Sequence, residues 1–551
     1  MHPGLKCLFP VLFLSACTQP LSTADQKPDE ASMTQDVIDL SPTGWVGKSL
    51  PDLVAALEAG EISSEALVKD YLARIAMVDV NGPGLQSVLA INPDILAAAR
   101  AMDERRAAGE TLGVLQGAPI LIKDNIDTMD AMPTTAGALA LKENFAPEDA
   151  PLVAAIRAND GLVLGKTNLS QWANFRSNNS VSGWSALGGQ VRNPHVLDRS
   201  PCGSSSGSGA ATAASLSAAS VGTETNGSII CPSNANGIVG FKPTVGLVSQ
   251  AGIIPISSTQ DTAGPMTRTV AGAALLLGAM TKTETPTAYL DGLSADALRG
   301  KRVGVLRFTL NGHDGLTGRF DSALSTMTSA GAELVEITGF DEPSETASQS
   351  EWIVLTREFK TLLNAYLANT PEAVPVKSLA DLIAFNEAHA DVELAVFGQD
   401  ILIESEESLG IDDPDYAAAV VDVTKSGGVN GIDALLAQYD VDVLVAPSGP
   451  VAALIDPVKG DVWGSWAGFG DAAAVSGYPH LTVPMGDVRG VPVGVSFIGT
   501  KGADASVLAY GYAYEQVSQA RIEPQYLPTA EAHISLTEAM ARKSDLDLPT
   551  P

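Results

Sequence analysis

The chain has 551 residues, 45% of them apolar and only 5% aromatic, with 52 glycines and four cysteines. That is ample material for a large buried core, because the buried fraction of surface rises with chain length. The 33 basic and 64 acidic residues leave a net charge of −31, which argues against nucleic acid as a partner, since such binding depends on Lys and Arg neutralising phosphates.

Residues 1–17 place Lys6 ahead of an apolar run (8–14), followed by small residues and Cys17. This is the layout of an export signal, and the run is too short to span a bilayer. Leu14-Ser15-Ala16-Cys17 resembles the lipobox of bacterial lipoproteins. The resemblance implies a lipid on Cys17 as the sole link to a membrane, and Thr18 after it implies the outer membrane or periplasm of a Gram-negative bacterium. Residues 18–45 are polar and acidic, too poor in apolar surface to order themselves, and are expected to be a disordered tether. One catalytic-sized domain is expected over 46–530, with a flexible tail over 531–551.

From Leu50 onward apolar residues recur every three or four positions, which predicts helix broken at Gly60. A second helix is expected over 95–108. Residues 119–123 (PILIK) read as a short buried strand ending at a charge. Helix over 152–159 and strand over 161–165 then set an α/β rhythm. A small-residue helix is expected at 210–219 and a strand at 220–223. Further on come a strand (301–308), a helix (320–330), a strand (332–337), mostly helix from Trp352 to Ala437, and a strand (441–446). Apolar stretches punctuated by Gly and Pro follow from His480 to Ile498, then helix over 503–517. The acidic stretch 404–415 reads as a solvated helix face and loop. The sum is an α/β fold with one large mixed sheet covered by helices.

Residues 200–255 carry the chemistry, with two Ser/Gly clusters separated by a small-residue segment. Gly permits positive φ and close backbone approach, and successive N–H groups in such turns make anion-binding concavities. A serine there can attack a carbonyl while neighbouring N–H groups hold the oxyanion. One such cluster alone reads as a structural turn; two, with a strand-end lysine, point to a site.

The order GAPILIKDNID around Lys123, Gly203-Ser204-Ser205, GTETNGSI around Ser228, GIVGFKPT (237–244) and QDTAGPMTR (260–268) resembles the amidase signature family. Ser204 and Ser228 stand 24 residues apart, as in that family, and the likeness runs from about Leu50 to Gln516. KTNLSQWANFRS (166–177), SPCGSSSGS and SLADLIAFNEAH (378–389) look like the bacterial peptide amidases within it. The resemblance implies the amidase signature fold, with helices on both faces of the sheet, and hydrolysis of a carboxamide, with amidated peptides or smaller amides as substrate.

In that family Ser228 is the nucleophile, Ser204 (after a cis peptide bond) relays its proton, and Lys123 is the base. Backbone N–H groups of Thr225, Asn226, Gly227 and Ser228 form the oxyanion hole, with Ser205 and Asp261 in support. Asn226 departs from the family pattern, which has Gly there, or Asp in peptide amidases. Trp172, Asn174, Phe175 and Arg176 are either substrate-side or core. Cys202 and Cys231 flank the serines and read first as inert small hydrophobes, with a disulfide or a competing nucleophile as alternatives. No metal or nucleotide cofactor is expected, since no Cys/His pair has ligand spacing and no P-loop is present. A monomer or simple homodimer is expected.

Gly203-Ser204-Ser205-Ser206-Gly207 also fits the nucleophile elbow of α/β-hydrolases, which would require His480 or His533 beside Ser205. No Lys has Ser three residues before it, which excludes a β-lactamase-type site. The amidase-type subunit of aminoacyl-tRNA amidotransferase, and a binding module that kept the fold without catalysis, complete the alternatives.

Overall fold

Thirteen strands are found among the residues that this computed structural model describes, which are 40–281, 284–341 and 344–541. The expected export signal, and the tether up to residue 39, lie outside them. In chain order the strands are β1 (Val88–Ile91), β2 (Pro119–Lys123), β3 (Leu162–Thr167), β4 (Trp184–Ser185), β5 (Gly189–Gln190), β6 (Ala219–Glu224) and β7 (Val239–Lys242). They continue as β8 (Thr262–Thr267), β9 (Arg302–Leu306), β10 (Glu333–Ile337), β11 (Val443–Pro447), β12 (His480–Val488) and β13 (Val491–Ile498). Eleven of them form one sheet in the order β1-β3-β2-β6-β8-β7-β12-β13-β11-β9-β10, and β4 and β5 pair separately.

The sheet is mixed for a reason visible in its connections. Strands β3, β2 and β6 run parallel, and parallel neighbours need crossovers. These contain the helices Pro151–Ala158 and Ser206–Ala213. A second parallel set, β11-β9-β10, lies at the other end. The middle, from β6 through β8, β7, β12 and β13 to β11, is antiparallel. Every residue of β2, β3, β6, β7, β8, β11 and β13 is buried. Strands buried on both sides are the mark of a sheet covered on both faces.

Most predicted elements are found within a few residues of their expected bounds. The break at Gly60 separates helices Leu50–Glu58 and Ser64–Arg74, with φ +70° at the glycine. One expectation is corrected. The small-residue helix runs Ser206–Ala213 rather than 210–219, and Ala219 already belongs to β6. The Ser/Gly run reads as loop by propensity, but tertiary packing decides it: a Cβ at Gly207 would lie 2.3 Å from the carbonyls of Asn168 and Ser87. Glycine there lets the helix press against the segment after β3.

The helical region includes Ala347–Ala368, which packs Leu355, Phe359, Leu363 and Leu367 into one core with Trp172 and Phe175. The acidic stretch that follows is a helix face and loop with Glu404, Glu407, Asp412 and Asp415 exposed, as expected, while Glu406 pairs with Lys360 at 3.6 Å and Asp413 with Arg357 at 3.1 Å. Beyond residue 530 a helix, Ile534–Met540, has no buried residue.

Candidate active site

Lys123 closes the apolar run of β2 and is fully buried. Its Nζ donates to Ser204 Oγ (2.8 Å), Thr223 Oγ1 (2.8 Å), Ser205 Oγ (3.0 Å) and the Thr223 carbonyl (3.2 Å). All four acceptors are neutral, and among the described residues Lys123 forms no ion pair. Burial pushes its pKa down to about 7, against an upward pull from the Asp261 and Glu224 carboxylates. An amine whose proton is this loosely held can serve as a general base near neutral pH.

The strand order explains how two distant serine loops meet this lysine. β6 lies beside β2, so the loop leaving β6 and the loop entering the helix Ser206–Ala213 converge on the end of β2. The Gly203–Ser204 peptide bond is cis, and Ser204 and Ser205 are fully buried. Ser205 donates to the Thr223 carbonyl at 3.0 Å and accepts from the Thr223 N–H at 3.1 Å. Its own N–H reaches the Ser228 carbonyl at 3.2 Å. Ser205 therefore stitches the two loops together.

The turn at 225–228 is anchored from both ends. Glu224 accepts from the N–H groups of Ile229 (2.7 Å) and Ile230 (3.0 Å). Thr225 donates its hydroxyl to Asp261, which also accepts from Ile256 N (2.8 Å) and Ser257 N (3.0 Å). Burial pushes the Asp261 carboxyl up to about 6, against these hydrogen bonds. Gly227 has φ +78°, a conformation glycine takes at little cost. The N–H groups of Asn226, Gly227 and Ser228 donate to no protein acceptor among the described residues. Ser228, 8% exposed, likewise makes no side-chain hydrogen bond there.

Cys202 and Cys231 form a disulfide with Cα atoms 5.8 Å apart, which corrects the first reading of them as inert thiols. Sequence alone could not decide this, because both are small apolar residues whichever way they pair. The bridge ties the segment before Ser204 to the helix after Ser228, and both cysteines line a cleft of about 300 Å³. Gly203, Asn226, Asp461, Trp463, Trp466 and Asp471 line it as well.

Asn226 donates to Glu351 Oε1 at 2.8 Å, and Gln260 donates to the same oxygen at 3.0 Å. Of the four aromatic-segment candidates only Asn174 faces the cleft. Trp172 and Phe175 belong to the core. Arg176 is buried, with its guanidinium 3.6 Å from Glu393. Thr223, Glu351, Trp466 and Asp471 were not foreseen. Only Thr223 had a local signal, its place in the motif before Ser228.

The elbow reading fails on partners. Ser205 bonds to Lys123 and to Thr223, while His480 pairs with Ser496 at 2.6 Å and His533 with Ser535 at 2.7 Å. Burial holds His480 neutral, with a pKa of about 3.

Comparison with known proteins gives the same assignment. The family model described as Amidase matches residues 66–508. The native peptide amidase of Stenotrophomonas maltophilia is similar in structure, with a TM-score of 0.82 and 45% identity over 88% of this chain and 99% of that one. A probable amidase of Arabidopsis thaliana is 35% identical over 500 residues, 87% of this chain and 91% of that protein. A putative amidase of Arthroderma benhamiae is 34% identical over 498 residues, covering 84% and 80% respectively. With the family model spanning most of its length, and with this fold, the chain belongs to the amidase signature family of hydrolases acting on amide bonds.

Proposed function

We propose that this amidase releases ammonia from C-terminally amidated peptides through an acyl-enzyme on Ser228, with Ser204 and Lys123 as its proton relay. The observation that carries this reading is the buried Lys123 amine, 2.8 Å from Ser204 Oγ and with a pKa lowered to about 7. A charged lysine there would be no base; a neutral one draws a proton from the serine pair.

In this mechanism Ser228 Oγ attacks the amide carbonyl, passing its proton to Ser204 while Ser204 passes its own to Lys123. Negative charge collects on the carbonyl oxygen, facing the N–H groups of Thr225, Asn226, Gly227 and Ser228. The proton returns through Ser204 to the leaving nitrogen, the C–N bond breaks and ammonia departs. Water then attacks the ester, giving the acid and restoring Ser228. The peptide amidase resemblance, with its 45% identity, supports an amidated peptide over a small non-peptide amide.

The test is ammonia release by the purified protein from a C-terminally amidated dipeptide, with its free acid and a simple aliphatic amide alongside. Release that vanishes in Ser228→Ala is expected. Release from the aliphatic amide alone would remove the peptide preference. No release from any amide would favour a binding module that kept the fold.

The same reading takes the chain to be exported and lipidated on Cys17. The Cys202–Cys231 disulfide supports export, because such bonds persist in oxidising compartments. Incorporation of labelled fatty acid that is lost in Cys17→Ala is the expected result; equal labelling of both forms would refute it.

A further inference from the structure

A second hollow of about 420 Å³ lies against the catalytic cleft. Its apolar wall is made by Phe308, Phe340, Phe469, Val423 and Val475. The three phenylalanines pack as a cluster with ring centroids 5.5–5.9 Å apart. They are only partly buried, packed on the outside of a core from β9, β11 and the helix Gly470–Ser476. The chemical steps at Ser228 make no use of this surface.

Two features join it to the cleft. Trp466 and Asp471 line both hollows, and Trp466 is 46% exposed on their shared rim. Asn226, beside the nucleophile, is hydrogen-bonded to Glu351, which lines the second hollow. Their common border thus carries the Asp471 carboxylate, with Glu351 on the groove side of it, and among the described residues no Lys or Arg lines either hollow. Beyond it the wall becomes aromatic.

We propose that this aromatic groove is the acyl-side subsite of the enzyme, taking an apolar or aromatic side chain that lies upstream of the amidated residue in the peptide. The proposal rests on the peptide reading above. The leaving group is ammonia, so the nitrogen side of the scissile bond needs little room. The bulk of a peptide substrate lies on the acyl side and has to leave Ser228 along an open course. The course past Asn226, Asp471 and Trp466 leads into the groove. The carboxylates of Asp471 and Glu351 accept hydrogen bonds from backbone N–H groups of the peptide, and the phenylalanine cluster receives a side chain by edge and face contacts.

The experiment compares kcat/KM for acetyl-Phe-Leu-amide and acetyl-Gly-Leu-amide in the purified protein, in Phe340→Ala and in Ser348→Trp. Ser348 is an exposed groove-lining residue in the helix Ala347–Ala368, so a tryptophan there fills the groove without entering the core. The wild-type protein is expected to prefer the Phe peptide by roughly tenfold or more, the range an apolar pocket gives for one apolar group. Both variants are expected to bring the ratio towards one. Because it is a ratio on one preparation, partial misfolding cancels. Equal rates on the two peptides in the wild type, or a preference that survives both substitutions, would overturn the groove and leave the peptide reading standing. Silence on both peptides, with release from a simple amide, would overturn the peptide reading and the groove with it.

Discussion

Thr225 is bound through its hydroxyl to Asp261, and Asp261 is bound through its other oxygen to the backbone of Ile256 and Ser257. The chain of support continues outward. Glu358, fully buried on the helix Ala347–Ala368, accepts from the Ser257 hydroxyl, Ser258 Oγ (3.1 Å), Thr259 N (3.1 Å), Thr259 Oγ1 (2.6 Å) and Tyr416 OH (2.6 Å). The turn at 225–228, which the proposed mechanism takes as the oxyanion hole, is thus held by a buried carboxylate, which is held in turn by a loop fastened to a helix.

Asp261→Ala should therefore reduce kcat more than it changes KM. It leaves the Thr225 hydroxyl and two backbone N–H groups without an acceptor, at about 1–3 kcal/mol for each that stays buried. Displacing one oxyanion donor costs on the order of 10²–10³ in rate elsewhere, and a loss of about 10² in kcat is expected here. Steady-state kinetics and a melting curve on the variant check both parts. A fall confined to the melting temperature would reduce Asp261 to a structural role.

The acid limb of the pH–rate profile should belong to Lys123. Its pKa is lowered to about 7, so the reactive, neutral form is lost as pH falls through that value. kcat/KM is expected to level off above about pH 7 and to drop about tenfold per pH unit well below it. Lys123→Ala should lose on the order of 10³-fold or more, as removal of a relay member does in other serine hydrolases. Lys123→Arg should be no better, because a guanidinium cannot give up its proton. A profile flat from pH 5 to pH 8 would contradict the assignment.

The same lysine shows which parts of the site were legible in the sequence. An unbroken apolar run ending in Lys is a strong local pattern, and the Ser/Gly loops around Ser204 and Ser228 stand out from core composition. Strands β7 and β8 were not foreseen, because VGFK and TAGPMT lack alternation. Pro265 also sits inside a strand paired on both sides, where proline is normally excluded. The far wall of the cleft was equally hidden. Glu351, Trp466 and Asp471 lie more than 100 residues from Ser228 in segments without a repeating pattern. Only the fold of the sheet brings them to Asn226.

Asn226→Asp should be unfavourable in this chain. The amide is one of two donors to Glu351 Oε1, at 2.8 Å beside Gln260 at 3.0 Å, and burial already pushes the Glu351 carboxyl up with the Asp471 charge adding to it. A third carboxylate removes that donor and adds like charge beside Glu351 and Asp471, and the loss of one hydrogen bond to a charged group costs about 1.5–3 kcal/mol. A lower melting temperature at pH 8, recovering in part towards pH 5 as the carboxyls take protons, is the expected outcome. An unchanged melting temperature at pH 8 would mean that Asn226 contributes nothing by donating to Glu351.

Reduction of the Cys202–Cys231 bridge should weaken both stability and catalysis. The two cysteines are 29 residues apart in sequence, and the chain-entropy relation for a loop of that length gives about 3–4 kcal/mol of stabilisation. The enclosed segment contains Ser204, Ser205, strand β6 and Ser228, so the bridge limits how far the two serine loops can separate. Cys202→Ser with Cys231→Ser is expected to lower the melting temperature by several degrees and to reduce kcat, with reductant reproducing the effect on the parent protein. The substituted protein should then be insensitive to reductant. If reductant exposes two further thiols while activity and melting temperature stay at the parent values, the bridge holds nothing that the hydrogen bonds of Ser205 and Glu224 do not already hold.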